Sequence, residues 1–278
     1  MDYLNAVQQG SDTVICGIKN FVLAQILDNG QCFRWQPSGD GYIGIACGRQ
    51  LHAIASGNNL ILKDTPIEEF DTIWRAYFDL GRDYTQILSL YASDPTLAKA
   101  TQFSPGLRVL QQDPWEMLIT FILSQNSNIP RIKKMVLELS MGFGKQMPGR
   151  AFPTPEALAS LSPEDLSPVR AGYRVPYILD AAKQIASGNI CLKDLAKKPA
   201  TEIINTLQQI HGVGPKVAQC VALFGFGKVE VCPMDVWMKR VMDTFYPTGF
   251  PEEILPTAGI AQQYLFHYVR SLPEVLTQ

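Results

Sequence analysis

An α+β fold, with an antiparallel sheet in the first hundred residues and an all-helical remainder, is predicted by two changes of pattern along the 278-residue chain. Thr13 to Ile18, Gly41 to Ala46, Leu51 to Ala55 and Leu60 to Lys63 are short runs rich in Ile, Val, Leu and Tyr, separated by turn formers such as Ser56-Gly57-Asn58-Asn59, the pattern of antiparallel strands. After Asp64-Thr65-Pro66 the apolar residues recur at helical spacing over Ile67 to Phe78 and Thr85 to Ala92, and beyond Ser104-Pro105-Gly106 almost continuously. In that remainder the spacing predicts helices over Asp113 to Ser124, Ile129 to Gly142, Val175 to Ser187, Ala200 to Gln209, Pro215 to Phe224, Pro233 to Phe245 and Thr257 to Ser271. Asp113-Pro114 puts a capping carboxylate before a first-turn proline, and Ser162-Pro163 reads as a similar start. The expected domains are therefore 1–105, a sheet with flanking helices, and 106–278, helical.

A hydrophobic content of 46% with 18% charged residues and no low-complexity tract excludes disordered and fibrous classes. No uncharged apolar run approaches the roughly 18 to 20 residues that span a bilayer. Met1-Asp2-Tyr3-Leu4 lacks the basic and apolar regions of a signal peptide. An intracellular protein without a membrane partner is expected, in the cytoplasm or nucleoid if the source is bacterial. Cys16, Cys32, Cys47, Cys191, Cys220 and Cys232 contain no C-x-x-C pair, which argues against a disulfide framework, a zinc ribbon or an iron-sulfur loop. Reduced, mostly buried thiols are expected.

The formal net charge of -2 argues against a protein that coats nucleic acid. The charge is unevenly spread, however: net -4 over 1–105, +5 over 106–242 and -3 over 243–278. A basic middle segment reads either as a solvated face or as a surface for an anionic partner.

The most informative stretch is Leu207-Gln208-Gln209-Ile210-His211-Gly212-Val213-Gly214-Pro215-Lys216-Val217-Ala218. An apolar helix end, G-x-G and a second helix describe a helical hairpin over 200–224. Gly212 and Gly214 let the turn take conformations closed to residues with a Cβ, and they leave N–H groups uncovered at a helix N-terminus, a geometry suited to a phosphate oxygen. Lys216 lies in the first turn of that helix, where the dipole disfavours a second positive charge and so favours a nucleophilic neutral amine. Nineteen residues on, Val231-Cys232-Pro233-Met234-Asp235-Val236-Trp237 places a carboxylate near the next helix start. If the apolar faces of the two helices pack, Asp235 can approach Lys216. Taken singly, the glycines could form a plain helix-turn-helix corner, Lys216 could be a solvated lysine and Asp235 a helix cap.

With this hairpin, lysine and aspartate, the chain resembles the helix-hairpin-helix base-excision DNA glycosylases, and within them the 8-oxoguanine DNA glycosylase/lyases. The closer resemblance rests on Asn29-Gly30-Gln31-Cys32-Phe33-Arg34-Trp35, Gln112-Asp113-Pro114-Trp115-Glu116, Phe121-Ile122-Leu123-Ser124-Gln125-Asn126-Ser127-Asn128-Ile129, Gly172-Tyr173-Arg174 and Ala261-Gln262-Gln263-Tyr264-Leu265-Phe266, and spans nearly the whole chain. It implies that the helical remainder is a two-part all-α glycosylase domain. It also implies a monomer acting on double-stranded DNA with a flipped-out lesion. Lys216 would attack C1′ and form a Schiff base that permits β-elimination, while Asp235 would stabilise charge developing on the sugar.

For the base, the resemblance implies that the Gly30 carbonyl accepts from the N7–H that distinguishes 8-oxoguanine from guanine. Gln262 would read the Watson–Crick edge, Phe266 would stack on the ring and Cys220 would lie beside the lysine. A turn glycine, a surface Gln, a core Phe and a core thiol are the alternatives from the residues alone. Asn126 would fill the vacated stack, Arg131 and Arg174 would donate to the orphan cytosine, and Tyr173 would wedge into the opposite strand. The hairpin carbonyls of Gln208, Ile210 and Val213 would hold a monovalent cation; no side-chain set suggests a catalytic metal, and no cofactor is required. Trp237 and Val269 stand where many members have His and Asp, so that phosphate contact is not carried over. Two other readings are open. One is an endonuclease III or adenine glycosylase, which usually carries a C-terminal four-cysteine loop. The other is a binding module that grips phosphates and needs neither Lys216 nor Asp235.

Overall fold

The structure, a computed structural model, describes residues 1–277. Six strands form one antiparallel sheet in the order β1-β2-β6-β5-β4-β3: β1 Asn5–Gln9, β2 Asp12–Cys16, β3 Trp35–Ser38, β4 Gly41–Ala46, β5 Arg49–Ser56 and β6 Asn59–Leu62. In β2, Val14 pairs with Val7 on one side and Ile61 on the other. The four expected strands are present within two residues at each end. The edge strands β1 and β3 were not expected, nor was the short helix α1, Leu23–Leu27.

Helices follow the sheet in chain order. The expected helix over Ile67 to Phe78 is a continuous helical run of α2 Ile67–Glu69, a π-helical turn Phe70–Trp74 and α3 Arg75–Tyr77. Then come α4 Tyr84–Tyr91, α5 Pro95–Phe103, α6 Pro114–Ser124, α7 Ile129–Phe143, α8 Pro155–Ala159, α9 Val175–Ala186, α10 Leu192–Leu195, α11 Ala200–Leu207, α12 Pro215–Phe224, α13 Val236–Phe245 and α14 Ala258–Ser271. The Asp113 side chain caps α6 through Glu116 N–H, with Pro114 in the first turn. Ser162-Pro163 does not start an α-helix. The Ser162 and Asp165 side chains instead close a local turn on themselves, with Ser162 N–H and hydroxyl both donating to Asp165 at 2.8 Å. That is the competition between short polar side chains and helical bonding.

The chain forms two compact units whose borders differ from the linear 105/106 boundary. The first comprises Met1–Ile43, Leu51–Gln111 and the chain from Lys228 onward; the second comprises Gly44–Gln50 and Gln112–Gly227. In the first, Trp35, Trp74, Tyr77 and Phe78 form a buried aromatic cluster, and Trp35 Nε1–H donates to the Tyr77 hydroxyl at 2.7 Å. Arg108 is fully buried there, paired with Asp2 at 3.0 Å and donating to the carbonyls of Asp79 and Arg82 at 2.9 and 3.0 Å. Tyr264 of α14 ties into the same region through its hydroxyl, 2.6 Å from the Leu107 carbonyl. The core of the second unit is the apolar face of α6 against α12, with Phe121 and Phe224 stacked at 5.5 Å and 12°. No helix among the described residues is long and apolar enough to cross a membrane.

Candidate active site and nucleic-acid interface

In the second unit, the hairpin joins α11 to α12. Gly212 has φ +80°, and the ring of Tyr177 from α9 occupies the place where a Cβ on Gly212 would sit, so glycine is required twice over. The reading of Gly214 needs correction. Its φ of -86° and ψ of 178° are ordinary extended backbone, with open space where a Cβ would be. Its contribution is positional: it is the N-cap of α12 and offers no capping side chain. Pro215 has no N–H, and among the described residues the N–H groups of Lys216 and Val217 meet no protein acceptor. Two uncapped amides at a helix N-terminus are open to an anionic acceptor. The hairpin is braced from outside: Asp180 accepts from His211 N–H at 2.8 Å, and the His211 ring meets Tyr177 edge-on at 4.8 Å.

Lys216 is half-buried, with Nζ 5.4 Å from the centre of the Phe121 ring. Cys220, four residues on, is 3% exposed. Asn126 is exposed just beyond α6 with φ +46°, a left-handed position that Asn tolerates better than most residues. Tyr173 is 52% exposed, its ring under the Arg174 guanidinium at 4.5 Å. Arg131 is exposed on α7, whose N-cap Asn128 accepts from Arg131 N–H at 3.0 Å. With Lys134 and Arg170 it flanks a groove of about 300 Å³ floored by Met135 and Val169.

Arg174, expected to donate to the orphan cytosine, has its guanidinium engaged within the protein. It is 2% exposed, and its guanidinium donates to the carbonyls of Gln125, Asn126 (3.1 Å) and Ala171 (3.0 Å). It therefore pins the turn that presents Asn126. Gln125, given no role by the sequence reading, donates from Nε2 to the Gly212 carbonyl at 3.2 Å and so joins the end of α6 to the hairpin. Tyr177 and Phe121 were missed as well. Neither residue type carries a chemical signal of its own; both act by filling space beside a glycine or a lysine.

In the first unit, Asp235 is the N-cap of α13, accepting from Met238 N–H at 2.8 Å, as expected for a carboxylate at that helix start. Burial, with the nearby Asp235 charge, pushes the Cys232 thiol up to about 12, so the thiol stays protonated. Gly30 has φ +91°. Gln262 is buried on α14, and its Oε1 has no hydrogen-bond partner among the described residues. An unmade bond of that kind is costly. Phe266, one turn on, is half-buried, with Arg270 5.7 Å from its ring. Val269 is fully buried and Trp237 lies under Arg240 at 5.5 Å, so the pair of departures provides apolar and cation–π packing in place of two polar groups. Among the described residues no cluster of His, Cys, Asp and Glu could hold a metal ion.

The fold and the hairpin together define the class, a helix-hairpin-helix protein with an N-terminal antiparallel sheet. The 8-oxoguanine DNA glycosylase N-terminal domain matches residues 13–118, and the HhH-GPD superfamily of base excision DNA repair proteins matches residues 119–254. An N-glycosylase/DNA lyase of Saccharomyces cerevisiae is 37% identical over 172 residues, covering 55% of this chain and 45% of that protein. The chain thus spans less than half the length of that curated relative. The Clostridium acetobutylicum 8-oxoguanine glycosylase/lyase, solved with double-stranded DNA containing cytosine opposite 8-oxoguanine, is 35% identical, with a TM-score of 0.91 and coverage of 98% of this chain and 99% of that one. MBOgg1, solved with a low-affinity DNA ligand, is 40% identical, with a TM-score of 0.92 over 98% of this chain and 100% of that one. The chain belongs to the 8-oxoguanine DNA glycosylase family.

Proposed function

We propose that this protein is a bifunctional repair enzyme that extrudes 8-oxoguanine opposite cytosine from duplex DNA, excises it and cleaves the abasic site. The observation that carries the reading is Lys216, a half-buried amine in the first turn of α12 beside uncapped amides. The amides hold a backbone phosphate. The neutral amine of Lys216 attacks C1′; the C1′–N9 bond breaks and the base departs with its electron pair and gains a proton. Asp235 stabilises the positive charge that develops on the sugar. The C1′–O4′ bond then breaks, the second amine proton passing to O4′, which gives the ring-opened Schiff base; removal of its C2′ proton breaks the C3′–O bond and the 3′ phosphate leaves.

The Gly30 carbonyl accepts from N7–H, the Gln262 amide reads the Watson–Crick edge, Phe266 stacks on the ring, and Cys220 lines the pocket. Asn126 fills the vacated stack, Tyr173 wedges beside it, and Arg131 reads the orphan cytosine. Arg174 joins that reading by letting go of a loop carbonyl, or supports it by holding the loop that carries Asn126. Main-chain oxygens of Gln208, Ile210 and Val213 hold a monovalent cation, since neutral carbonyls suit an alkali ion, and the chemistry requires no cofactor.

A time course on an 8-oxoguanine:cytosine duplex, with and without alkali, tests the reading. Strand breaks without alkali are expected. Alkali-labile products alone would remove the lyase step, and no product would remove the enzyme.

A further inference from the structure

Gly30 sits between two buried amides. Asn29 is 2% exposed and Gln31 is fully buried. The Asn29 side chain donates from Nδ2 to the Gln25 carbonyl at 2.7 Å and accepts from Gln31 N–H through Oδ1 at 3.2 Å. Gln31 uses both ends of its own amide. Nε2 donates to the carbonyls of Ile26 and Arg108, each at 2.8 Å, and Oε1 accepts from Leu110 N–H at 2.8 Å. The loop is thus stapled to α1 on one side and to the 108–110 segment on the other.

The consequence follows from peptide planarity. The Gly30 carbonyl and the Gln31 N–H belong to one trans peptide unit, so they point in opposite directions in a common plane. Holding the N–H on Asn29 Oδ1 therefore aims the carbonyl away from that oxygen, and no protein donor among the described residues takes it. At φ +91° the glycine has no steric preference that would hold this orientation unaided.

We propose that Asn29 and Gln31 are positioning residues that fix the Gly30–Gln31 peptide plane, so that the aim of its carbonyl, and with it recognition of an N7–H donor on the lesion, depends on the Asn29 side chain. The inference rests on the proposed assignment of Gly30 to base recognition. Preorganisation is what makes such an acceptor effective, because a plane that must be ordered on binding loses part of what the hydrogen bond contributes.

The test uses the full chain and two substitutions at one site. Single-turnover excision of 8-oxoguanine is measured relative to cleavage of a preformed abasic site in the same duplex, which offers no base to be read and so reports an intact fold and lysine. Asn29→Ala removes the acceptor and should lower that ratio at least about tenfold, the equivalent of one well-aimed hydrogen bond. Asn29→Ser keeps a hydroxyl able to accept from the N–H two residues on and should hold the ratio within about threefold of the parent. An unchanged ratio in Asn29→Ala overturns the proposal, and so does an equal fall in both variants. A parent protein that cleaves the abasic duplex yet spares 8-oxoguanine would instead overturn the assignment of Gly30 itself.

Discussion

Lys216 holds its Nζ 5.4 Å from the centre of the Phe121 ring, and Phe121 in turn lies flat on Phe224. The Lys216 amine, proposed as the nucleophile, is therefore seated against a wall contributed by α6. The ring limits the positions open to the lysine side chain and so orients it by packing. Phe121→Leu should keep the fold and the apolar volume while slowing Schiff-base formation several-fold. Single-turnover trapping rates check this.

The helix cap made by Asp235 and its proposed part in excision can be separated by mutation. Asparagine caps a helix about as well as aspartate, so Asp235→Asn should leave the melting temperature nearly unchanged while excision falls by orders of magnitude. Asp235→Ala should lose the same activity and about 1 kcal/mol of stability besides. Undiminished excision in Asp235→Asn would leave the residue only its capping function. Thermal melts beside excision rates distinguish the outcomes.

Gly212→Ala should damage DNA binding more than it damages the fold. The new methyl meets the Tyr177 ring at a φ of +80°, so the turn must open and the uncapped amides shift. A loss of at least tenfold in affinity for an abasic-analogue duplex is expected, while Gly214→Ala, with open space and ordinary backbone at that position, should lose far less. Fluorescence anisotropy at fixed salt measures both, since phosphate contacts are salt-dependent.

Stability at low pH should report the Asp2–Arg108 pair. Burial opposes ionisation of Asp2, but the hydrogen bond from Tyr84 N–H and the Arg108 charge together hold its carboxyl below the ordinary value of 3.8. A folded-state value lower than the unfolded one contributes stability that is present above about pH 4 and lost as pH falls through the folded value. Asp2→Asn strips a buried guanidinium of its partner, a loss of about 3 kcal/mol near neutrality. The gap between parent and variant should narrow below pH 4, which denaturant titrations at several pH values would show.

Arg131 is the exposed arginine of the expected cytosine-reading pair, whereas Arg174 is committed to loop carbonyls. Arg131→Ala should flatten the preference for cytosine opposite the lesion by about tenfold. Arg174→Ala should also lower overall activity, because the Asn126 turn loses its brace. Excision rates on the four opposite-base duplexes read both effects.

Much of this was legible in the sequence, for identifiable reasons. α12 spans Pro215–Phe224 as its glycine, proline and apolar spacing require, and Asp235 caps α13 where a carboxylate before an apolar run belongs. The edge strands were not legible. Asn5-Ala6-Val7-Gln8-Gln9 has no apolar alternation, and Trp35-Gln36-Pro37-Ser38 carries the proline that an edge tolerates. α5 hides for a related reason: Leu97 and Ala100 alone are buried on it, and only its Asp94-Pro95 start signals a helix. The site divides in the same way. Lys216, Asp235 and the hairpin carry their chemistry in their residue types, whereas Gln125, Tyr177 and the burial of Arg174 depend on which segments meet, a property of tertiary contacts alone.

A nucleophilic Lys216 must pass through a Schiff base with the sugar. Borohydride reduction during reaction with an 8-oxoguanine:cytosine duplex converts a Schiff base into a stable covalent adduct. The parent protein should trap on the duplex, and Lys216→Gln, while still binding the same DNA, should give no adduct. An adduct that persists in Lys216→Gln would rule out Lys216 as the nucleophile, because another amine would then be attacking C1′.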